Sequence, residues 1–347
     1  MSMNSAETSP VPSDMPRACV LFPGALGDFV CFLPALYRLV NSIAVDLFAR
    51  SEYAAIAPPT VTVHSLERYE LRQLFIADGA ADPRVQQFFS RYAAIYSWFA
   101  SQQPVFVEQI QKASQQRAQI FSFRPEQLAI HQADYYLSCL ASKSKEGQTL
   151  EPVVALRADA LLWCDAFFRS NRLAGAPLLV MAPGSGAREK NWPVAHYLKV
   201  AQWWRQQFGG KVVVVVGPVE AERRGLEHLL TSCTVASGLD LAQLAALLAS
   251  CEVYVGNDSG VSHLAGAVGA RTVAIFGPTD ERQWAPRGPR VTILRRPIAC
   301  SPCGDSAIKH CPHLSCLAEL TPAEVIHELR KLPEITNLTR FEVGIRV

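Results

Sequence analysis

The sequence predicts an α/β protein with two doubly wound domains, each a parallel sheet covered by helices. Its 347 residues are too many for one ordinary core and enough for two such domains. Hydrophobic residues make up 49% of the chain and charged residues 18%, so a large core can form. Short apolar runs alternate with polar or helix-like stretches along both halves, which is typical of a parallel sheet wrapped by helices.

The first half contains four predicted strands, at residues 19–22, 43–48, 94–98 and 120–123. An amphipathic helix follows the first of them, from Asp28 to about Val40. The pattern within residues 71–116 does not fix the element boundaries there.

The second half has a clearer pattern. Near-continuous apolar runs at residues 178–181, 211–216, 253–256 and 272–276 predict strands buried on both faces. Helices are expected at residues 194–208, 221–230, 241–250 and 261–268.

The domain junction is predicted near Gly175 and Pro177, which end an expected helix at residues 157–173. We therefore expect a disordered tail at residues 1–16, a first domain at 17–174 and a second at 175–347. We expect a last helix at about residues 322–332, and packing of this helix on the first domain is one alternative.

Charge and composition exclude several classes of protein. Lys and Arg number 33 against 31 Asp and Glu, and this net charge of +2 argues against a general nucleic-acid binder. The first sixteen residues lack the pattern of a signal peptide, and no apolar stretch has the length of a membrane span. We expect a cytoplasmic protein, whose ten cysteines are reduced thiols or metal ligands before they are disulfides.

Turns that follow predicted strands are the expected place for a site, because ligands of open α/β sheets bind at the carboxyl ends of strands. The first such turn, PGALGD at residues 23–28, places Asp28 at a helix start. A carboxylate there is able to accept a proton from a substrate hydroxyl. The alternative is a helix N-cap, which the turn taken alone favours.

The second turn, at residues 183–193, combines small residues with cations. Ser185 and Gly186 expose backbone N–H groups, and Arg188 and Lys190 supply positive charge. Together they predict a phosphate site, with a solvated loop as the alternative.

The third turn, at residues 256–263, opens a helix rich in Gly and Ala. Its backbone amides from Ser259 to Val261 are expected to face a diphosphate, with the side chains of Ser259, Ser262 and His263 within hydrogen-bond reach. Asp258 cannot bind phosphate directly, so it is expected to hold the turn or a sugar hydroxyl. His263 is either a buried structural histidine or a ligand contact.

Two further features leave alternatives open. The fourth turn, at residues 276–280, either lines a cleft or only reverses the chain. The spacing of Cys300, Cys303, Cys311 and Cys316 resembles that of zinc ligands, although the second pair is irregular and buried free cysteines are common.

Taken together, the motifs resemble those of glycosyltransferase family 9, the ADP-heptose–lipopolysaccharide heptosyltransferases. The resemblance rests on GALGDFVCFLPAL (24–36), PGSGAREKNWPVAHY (183–197), NDSGVSHLAGAVGARTVAIFGPTD (257–280) and the Cys-rich segment. It implies a GT-B fold, in which two Rossmann-like domains face a cleft and bind the acceptor and the nucleotide sugar respectively.

The resemblance also implies an inverting transfer with roles for particular residues. Asp28 would be the catalytic base and Lys190 would neutralise the leaving diphosphate. The other residues expected to bind the donor are Gly27, Ser185, Gly186, Arg188, Glu222, Asp258, Ser259, Gly260 and His263. The chain contains no Asp-x-Asp pair, which agrees with transfer without a metal or other cofactor.

The expected partners are a nucleotide-sugar donor, with ADP as the nucleotide, and a glycan or lipid-linked acceptor. A lipid-linked acceptor would bring the protein to the inner face of the inner membrane. Phe29, Phe32, Leu33 and Tyr37 on the first helix either contact such an acceptor or belong to the core.

Two other functions are carried as alternatives: a sugar-nucleotide epimerase or hydrolase on the same scaffold, and a non-catalytic nucleotide-sugar binding protein. An epimerase would need further acid–base carboxylates beside Asp28. A dehydrogenase fits poorly, because no G-x-G-x-x-G motif follows a predicted strand.

Overall fold

The computed structural model describes residues 15–126, 130–140, 150–217, 225–303 and 305–331. Within these ranges the chain divides into two compact units. Of the described residues, unit 1 contains those within 1–25, 32–128 and 132–148, and unit 2 contains those within 26–31, 129–131 and 149–347.

Unit 1 is built on a five-stranded parallel sheet. Its strands are β1 (Arg17–Leu21), β2 (Ala44–Ala49), β3 (Thr62–Ser65), β4 (Ala94–Ser97) and β5 (Ala118–Ile120), in the order β3-β2-β1-β4-β5. The register pairs Val20 of β1 with Leu47 on one side and with Tyr96 on the other. The helices are α1 (Leu26–Val40), α2 (Tyr69–Gln73), α3 (Pro83–Ser90), α4 (Pro104–Ala113) and α5 (Gln132–Cys139), although residues 26–31 of α1 belong to unit 2.

Unit 2 is built on a six-stranded parallel sheet. Its strands are β6 (Leu178–Ala182), β7 (Lys211–Val216), β8 (Thr234–Ser237), β9 (Val253–Asn257), β10 (Thr272–Phe276) and β11 (Val291–Arg295), in the order β11-β10-β9-β6-β7-β8. Its further helices are α6 (Ala158–Ser170), α7 (Val194–Phe208), α8 (Glu227–Ser232), α9 (Leu241–Ala249), α10 (Gly260–Ala267), α11 (Glu281–Trp284), α12 (Asp305–Lys309), α13 (Ser315–Ala318) and α14 (Pro322–Lys331).

The strand order changes direction once in each sheet. In unit 1 the chain winds outward from β1 in one direction and from β4 in the other, and in unit 2 the same switch lies between β6 and β9. Both sheets are therefore doubly wound, and the predicted α/β fold with two parallel-sheet domains is confirmed. A crevice at the carboxyl ends of β6 and β9 is where this topology places a ligand.

The division into units differs from the predicted junction at residue 175. Helix α6 packs on α9 of unit 2, and the backbone N–H of Val154 donates to the Ala267 carbonyl over 3.0 Å. Residues 150–174 therefore lie with unit 2. Helix α14 likewise packs on α7, with Val325 and Leu329 buried in the core of unit 2.

The first helix resolves one of the alternatives left by the sequence. Phe29, Phe32 and Leu33 are fully buried, and Phe32 stacks on Phe22 with a centroid distance of 4.4 Å. These three residues belong to the core rather than to an exposed acceptor surface.

No helix among the residues described is long and apolar enough to cross a bilayer.

Candidate active site

The first predicted turn leads directly into α1. The buried Tyr53 hydroxyl donates to the Gly24 carbonyl over 2.8 Å and so fixes the turn before the helix begins. The helix starts at Leu26, which makes Asp28 its third residue, and its side chain is half-buried. The N-cap alternative for Asp28 is therefore wrong, because the capping position precedes Leu26.

The second turn contains a short 3₁₀ segment, Arg188–Lys190, between β6 and α7. The buried Ser185 hydroxyl is 2.5 Å from the Ala187 carbonyl and 2.7 Å from Asn191 Oδ1, so this side chain is engaged inside the loop. Gly186 is exposed, and no atom lies within 4 Å of the position a Cβ would take. The backbone at Gly186 is therefore open to a ligand, and Arg188 beside it is exposed as well.

The third turn connects β9 to α10. Ser259 precedes the helix in an extended conformation, and its carbonyl accepts the N–H of Ser262. The N–H groups of Gly260 and Val261 come before that first helical bond and are oriented as a helix N-terminus presents them to an anion. Ser262 itself is fully buried, with its hydroxyl bonded to the Asn257 carbonyl over 2.6 Å, so it does not face a phosphate.

An ion pair joins the second turn to the third. Lys190 Nζ lies 2.8 Å from Asp258 Oδ2, with side-chain exposures of 29% and 7%. Asp258 is thus held on the protein by a cation, while part of the Lys190 side chain remains accessible. The two residues come from the loops after β6 and β9, the strands that flank the switch point of the sheet.

Two glycines bring the start of α1 against the start of α10. A Cβ on Gly260 would lie 2.8 Å from Leu26 Cβ and 3.0 Å from the Gly27 backbone nitrogen. A Cβ on Gly27 would lie 3.2 Å from His263 Cδ2. The absence of side chains at these positions therefore permits the backbones to approach and brings the first turn of α1, with Asp28, toward α10.

His263 lies at the centre of this arrangement. It is 4% exposed, its Nδ1 is 3.6 Å from the Cys31 thiol, and it has a backbone hydrogen bond with Trp284. Burial lowers the pKa of His263 from its usual 6.5, Asp258 and Asp28 act to raise this pKa, and Lys190 acts to lower it. With the ring engaged by protein groups, the geometry favours the structural alternative for His263 over direct phosphate contact.

The remaining predicted features are placed as follows. The fourth turn is held by the Cys-rich segment, since the Ser301 hydroxyl donates to the Gly277 carbonyl over 2.6 Å and the Cys303 N–H donates to the Pro278 carbonyl.

All ten cysteines are free thiols, and among the residues described no three His, Cys, Asp or Glu side chains group as a metal ion requires. Cys316 is buried in the core of unit 2, and zinc binding by the four cysteines stays an alternative. Glu222 lies outside the described residues.

Comparison with known proteins gives the family. The model of glycosyltransferase family 9 (heptosyltransferase) matches residues 89–311. The chain belongs to glycosyltransferase family 9. This confirms the family that the motifs indicated.

Relatives and solved structures agree with that assignment. The lipooligosaccharide heptosyltransferase 2 of Campylobacter jejuni is 28% identical over 170 residues, which cover 46% of this chain and 52% of that protein. The chain thus matches about half the length of this curated relative. A family 9 glycosyltransferase from Veillonella parvula superimposes with a TM-score of 0.69 at 18% identity, over 92% of this chain and 97% of that one. The E. coli ADP-heptose LPS heptosyltransferase II gives 0.67 at 17% identity, over 94% and 99%.

Several residues of the candidate site were not identified from the sequence. Asn257 is the last residue of β9 and is fully buried, and Tyr53 and Cys31 contact the first turn and His263. The available signal for Asn257 was a polar side chain ending an otherwise apolar strand, a position where burial demands hydrogen-bond partners. Tyr53 and Cys31 carry no such signal, because their contacts join segments distant in sequence.

The depressed pKa of His263 predicts a specific loss of stability in acid. The unfolded chain takes up a proton on this histidine near pH 6.5, whereas the folded protein resists protonation until a lower pH. The free energy of unfolding should therefore fall as the pH drops from 6.5 through the folded-state pKa. We expect this dependence to be shallower in His263→Gln when unfolding by urea is measured across the range.

The matched control for this prediction is His228→Gln, since His228 is exposed. That variant should keep the wild-type pH dependence. Burial also lowers the pKa of His64 and His196, so both variants retain some loss of stability in acid. Equal slopes for His263→Gln and the wild type would show that His263 does not resist protonation in the folded protein.

Proposed function

We propose that this chain is an inverting glycosyltransferase that moves a heptose from an ADP-linked donor to a lipopolysaccharide-core or lipooligosaccharide-core acceptor. Membership of family 9 and the names of its relatives support the sugar and the acceptor class. The observation that carries the proposal is the surroundings of His263, where Asp28, Asp258 and Lys190 all act on one buried imidazole. We propose that these groups form one site, with Asp28 as the base, Lys190 as the cation and the N–H groups of the helix start beside them.

In the proposed reaction an acceptor hydroxyl attacks the anomeric carbon of the heptose from the side opposite the diphosphate. The new C–O bond forms as the bond to the diphosphate oxygen breaks, which inverts the configuration. Asp28 accepts the hydroxyl proton, and ADP leaves with the electron pair of the broken bond. A carboxylate serves as the base because the hydroxyl becomes acidic only as its bond to the sugar forms.

The leaving diphosphate is stabilised by protein groups. Lys190 supplies a cation, Arg188 a second one nearby in the chain, and the N–H groups around Ser259 and Gly260 supply hydrogen bonds from a helix N-terminus. Asp258 is proposed to hold Lys190 in position rather than to bind phosphate. Gly27, Gly186 and Glu222 are proposed to complete the donor site.

The two units are proposed to divide the substrates, with the acceptor bound by the first domain and the nucleotide sugar mainly by the second. A lipid-linked acceptor would be met in the cytoplasm at the inner membrane face, and we propose that the protein works there. No metal or other cofactor is needed in this scheme. An epimerase or hydrolase is less favoured, because the Asp258 carboxylate is paired with Lys190 and is therefore not available as a further acid–base group.

A thermal-shift comparison of ADP, UDP, GDP and CDP, with NAD as control, tests the donor nucleotide. A ligand at 100 times its Kd stabilises the folded state by about 2.7 kcal/mol, and about 2–4 °C of Tm accompanies each kcal/mol for a domain of roughly 150–250 residues. We expect ADP at this concentration to raise the Tm by the amount that these two values give, and each of the other nucleotides to raise it by less. A selective shift with UDP or GDP would overturn ADP as the donor nucleotide.

A further inference from the structure

Asn257 occupies a special place in the sheet of unit 2. It is the last residue of β9, at the switch point between β6 and β9, and it is fully buried. A buried primary amide is costly unless both its oxygen and its nitrogen find hydrogen-bond partners. The partners of Asn257 therefore indicate what this side chain is for.

The side-chain hydrogen bonds of Asn257 go to the second turn and to α7, which follows it. Its Nδ2 donates to the Pro183 carbonyl over 2.8 Å, and its Oδ1 accepts from the Trp192 N–H over 2.9 Å. The Tyr197 hydroxyl also donates to Oδ1 over 3.0 Å. The Asn257 side chain thus forms hydrogen bonds with both ends of the second turn, at Pro183 and at Trp192.

The segment between these two anchors contains the phosphate-site candidates. Ser185, Gly186, Arg188 and Lys190 all lie between Pro183 and Trp192. The far anchor is itself fixed, since Trp192 is fully buried and its indole N–H donates to the Leu320 carbonyl over 2.8 Å. With both ends held, the loop has fewer conformations to lose when a ligand binds.

The next residue along the chain, Asp258, contacts the same loop at Lys190. Asp258 bonds Lys190 Nζ at 2.8 Å, while Asn257 bonds the loop at its base. Two consecutive residues therefore fix the position of the Lys190 ammonium from two directions. The geometry points to Asn257 as a positioning residue, which acts on the nucleotide diphosphate through the Lys190 loop. This inference rests on the proposed function of that loop as the diphosphate site.

The test is the affinity of Asn257→Ser for ADP, measured by calorimetry well below the Tm of the variant. We expect Kd to rise about tenfold or more, since the two hydrogen bonds that order the loop are lost. The KM of the donor should rise with it, while the KM of the acceptor stays unchanged. Asn171→Ser removes an exposed amide that bonds the Phe167 carbonyl and serves as the matched control with wild-type affinity.

A double variant separates positioning from general destabilisation. If Asn257 acts through Lys190, the effect of Asn257→Ser on the Kd of ADP should largely vanish in a Lys190→Ala background. A purely structural role would lower the Tm and leave the ADP affinity of the remaining folded protein unchanged. Wild-type Kd in Asn257→Ser, or a full effect in the Lys190→Ala background, overturns the inference.

Hydrogen exchange on the wild-type protein tests the loop anchor without any variant or nucleotide. The Trp192 N–H should exchange slowly because Asn257 accepts it, whereas the exposed Gly186 N–H should exchange fast. Fast exchange at Trp192 contradicts the positioning role even if Asn257→Ser fails to fold. Absence of ADP binding by the wild type would count against the proposed function, and the exchange pattern would still decide whether Asn257 anchors the loop.

Discussion

Asp28→Ala is expected to lower kcat for sugar transfer by about 10²- to 10⁴-fold, the usual contribution of a general base. Binding of ADP should be nearly unchanged, because the carboxylate is proposed to act on the acceptor hydroxyl and not on the diphosphate. The measurement is ADP release in the presence of acceptor, together with the Kd of ADP from calorimetry. The Tm should fall only slightly, since an acid in the first turn of a helix stabilises it by about 0.3–1 kcal/mol.

Asp159→Ala is the matched control for this variant. Asp159 also lies in the first turn of a helix, α6, where it forms an exposed pair with Arg157. It should change neither transfer nor ADP binding. Near-normal transfer by Asp28→Ala would remove Asp28 from the role of base.

Lys190→Ala is expected to weaken ADP binding and turnover together. A hydrogen bond to a charged group contributes about 1.5–3 kcal/mol, which corresponds to roughly a 10- to 150-fold rise in Kd. The substitution also leaves the Asp258 carboxylate, 7% exposed, without its cation and close to the incoming diphosphate. Calorimetry with ADP and steady-state kinetics on the donor would measure both effects.

The ion pair between Lys190 and Asp258 allows a second test of this prediction with a double variant. Asp258→Asn in the Lys190→Ala background removes the unpaired charge, so the double variant should bind ADP better than Lys190→Ala alone. Lys199→Ala on the exposed face of α7 is the control and should behave as the wild type. Loss of turnover with an unchanged Kd would contradict the proposed role of Lys190 at the diphosphate.

Burial explains which strands were predicted from the sequence. The interior strands β6, β9 and β10 are fully buried and read as continuous apolar runs. The strands that sequence analysis did not identify, β3, β8 and β11, all lie at sheet edges and have exposed or half-buried positions. Edge strands mix polar and apolar residues because one side faces solvent, and their periodicity is therefore weak.

The turns of the candidate site were predictable for a different reason. Parallel topology places the ends of neighbouring strands at one edge of the sheet, so the positions of the loops followed from the strand pattern. The contacts within the site were not predictable in the same way. The pair formed by Lys190 and Asp258, and that formed by Cys31 and His263, join residues far apart in sequence, and nothing in the local pattern encodes these distances.

Each of the four turns accepts a hydrogen bond from a buried polar side chain. Tyr53 bonds the first turn, Asn257 the second, Ser262 the third and Ser301 the fourth, each through a backbone carbonyl. Side chains that hold a loop from within the fold leave its outward N–H groups available to a ligand. The residues proposed to bind substrate and those that hold the turns are thus separate sets, although Asn257 and Ser262 of the second set lie within the motif at residues 257–280.

The most direct test is to incubate the purified protein with ADP-heptose and a heptose-acceptor core oligosaccharide, and to measure ADP and the mass of the acceptor. We expect ADP and singly heptosylated acceptor in equal amounts, with inverted configuration at the new linkage and no ADP release when the acceptor is omitted. ADP released without acceptor would indicate a hydrolase. Conversion of the donor to an epimer, or no reaction with any core acceptor, would likewise contradict heptosyl transfer.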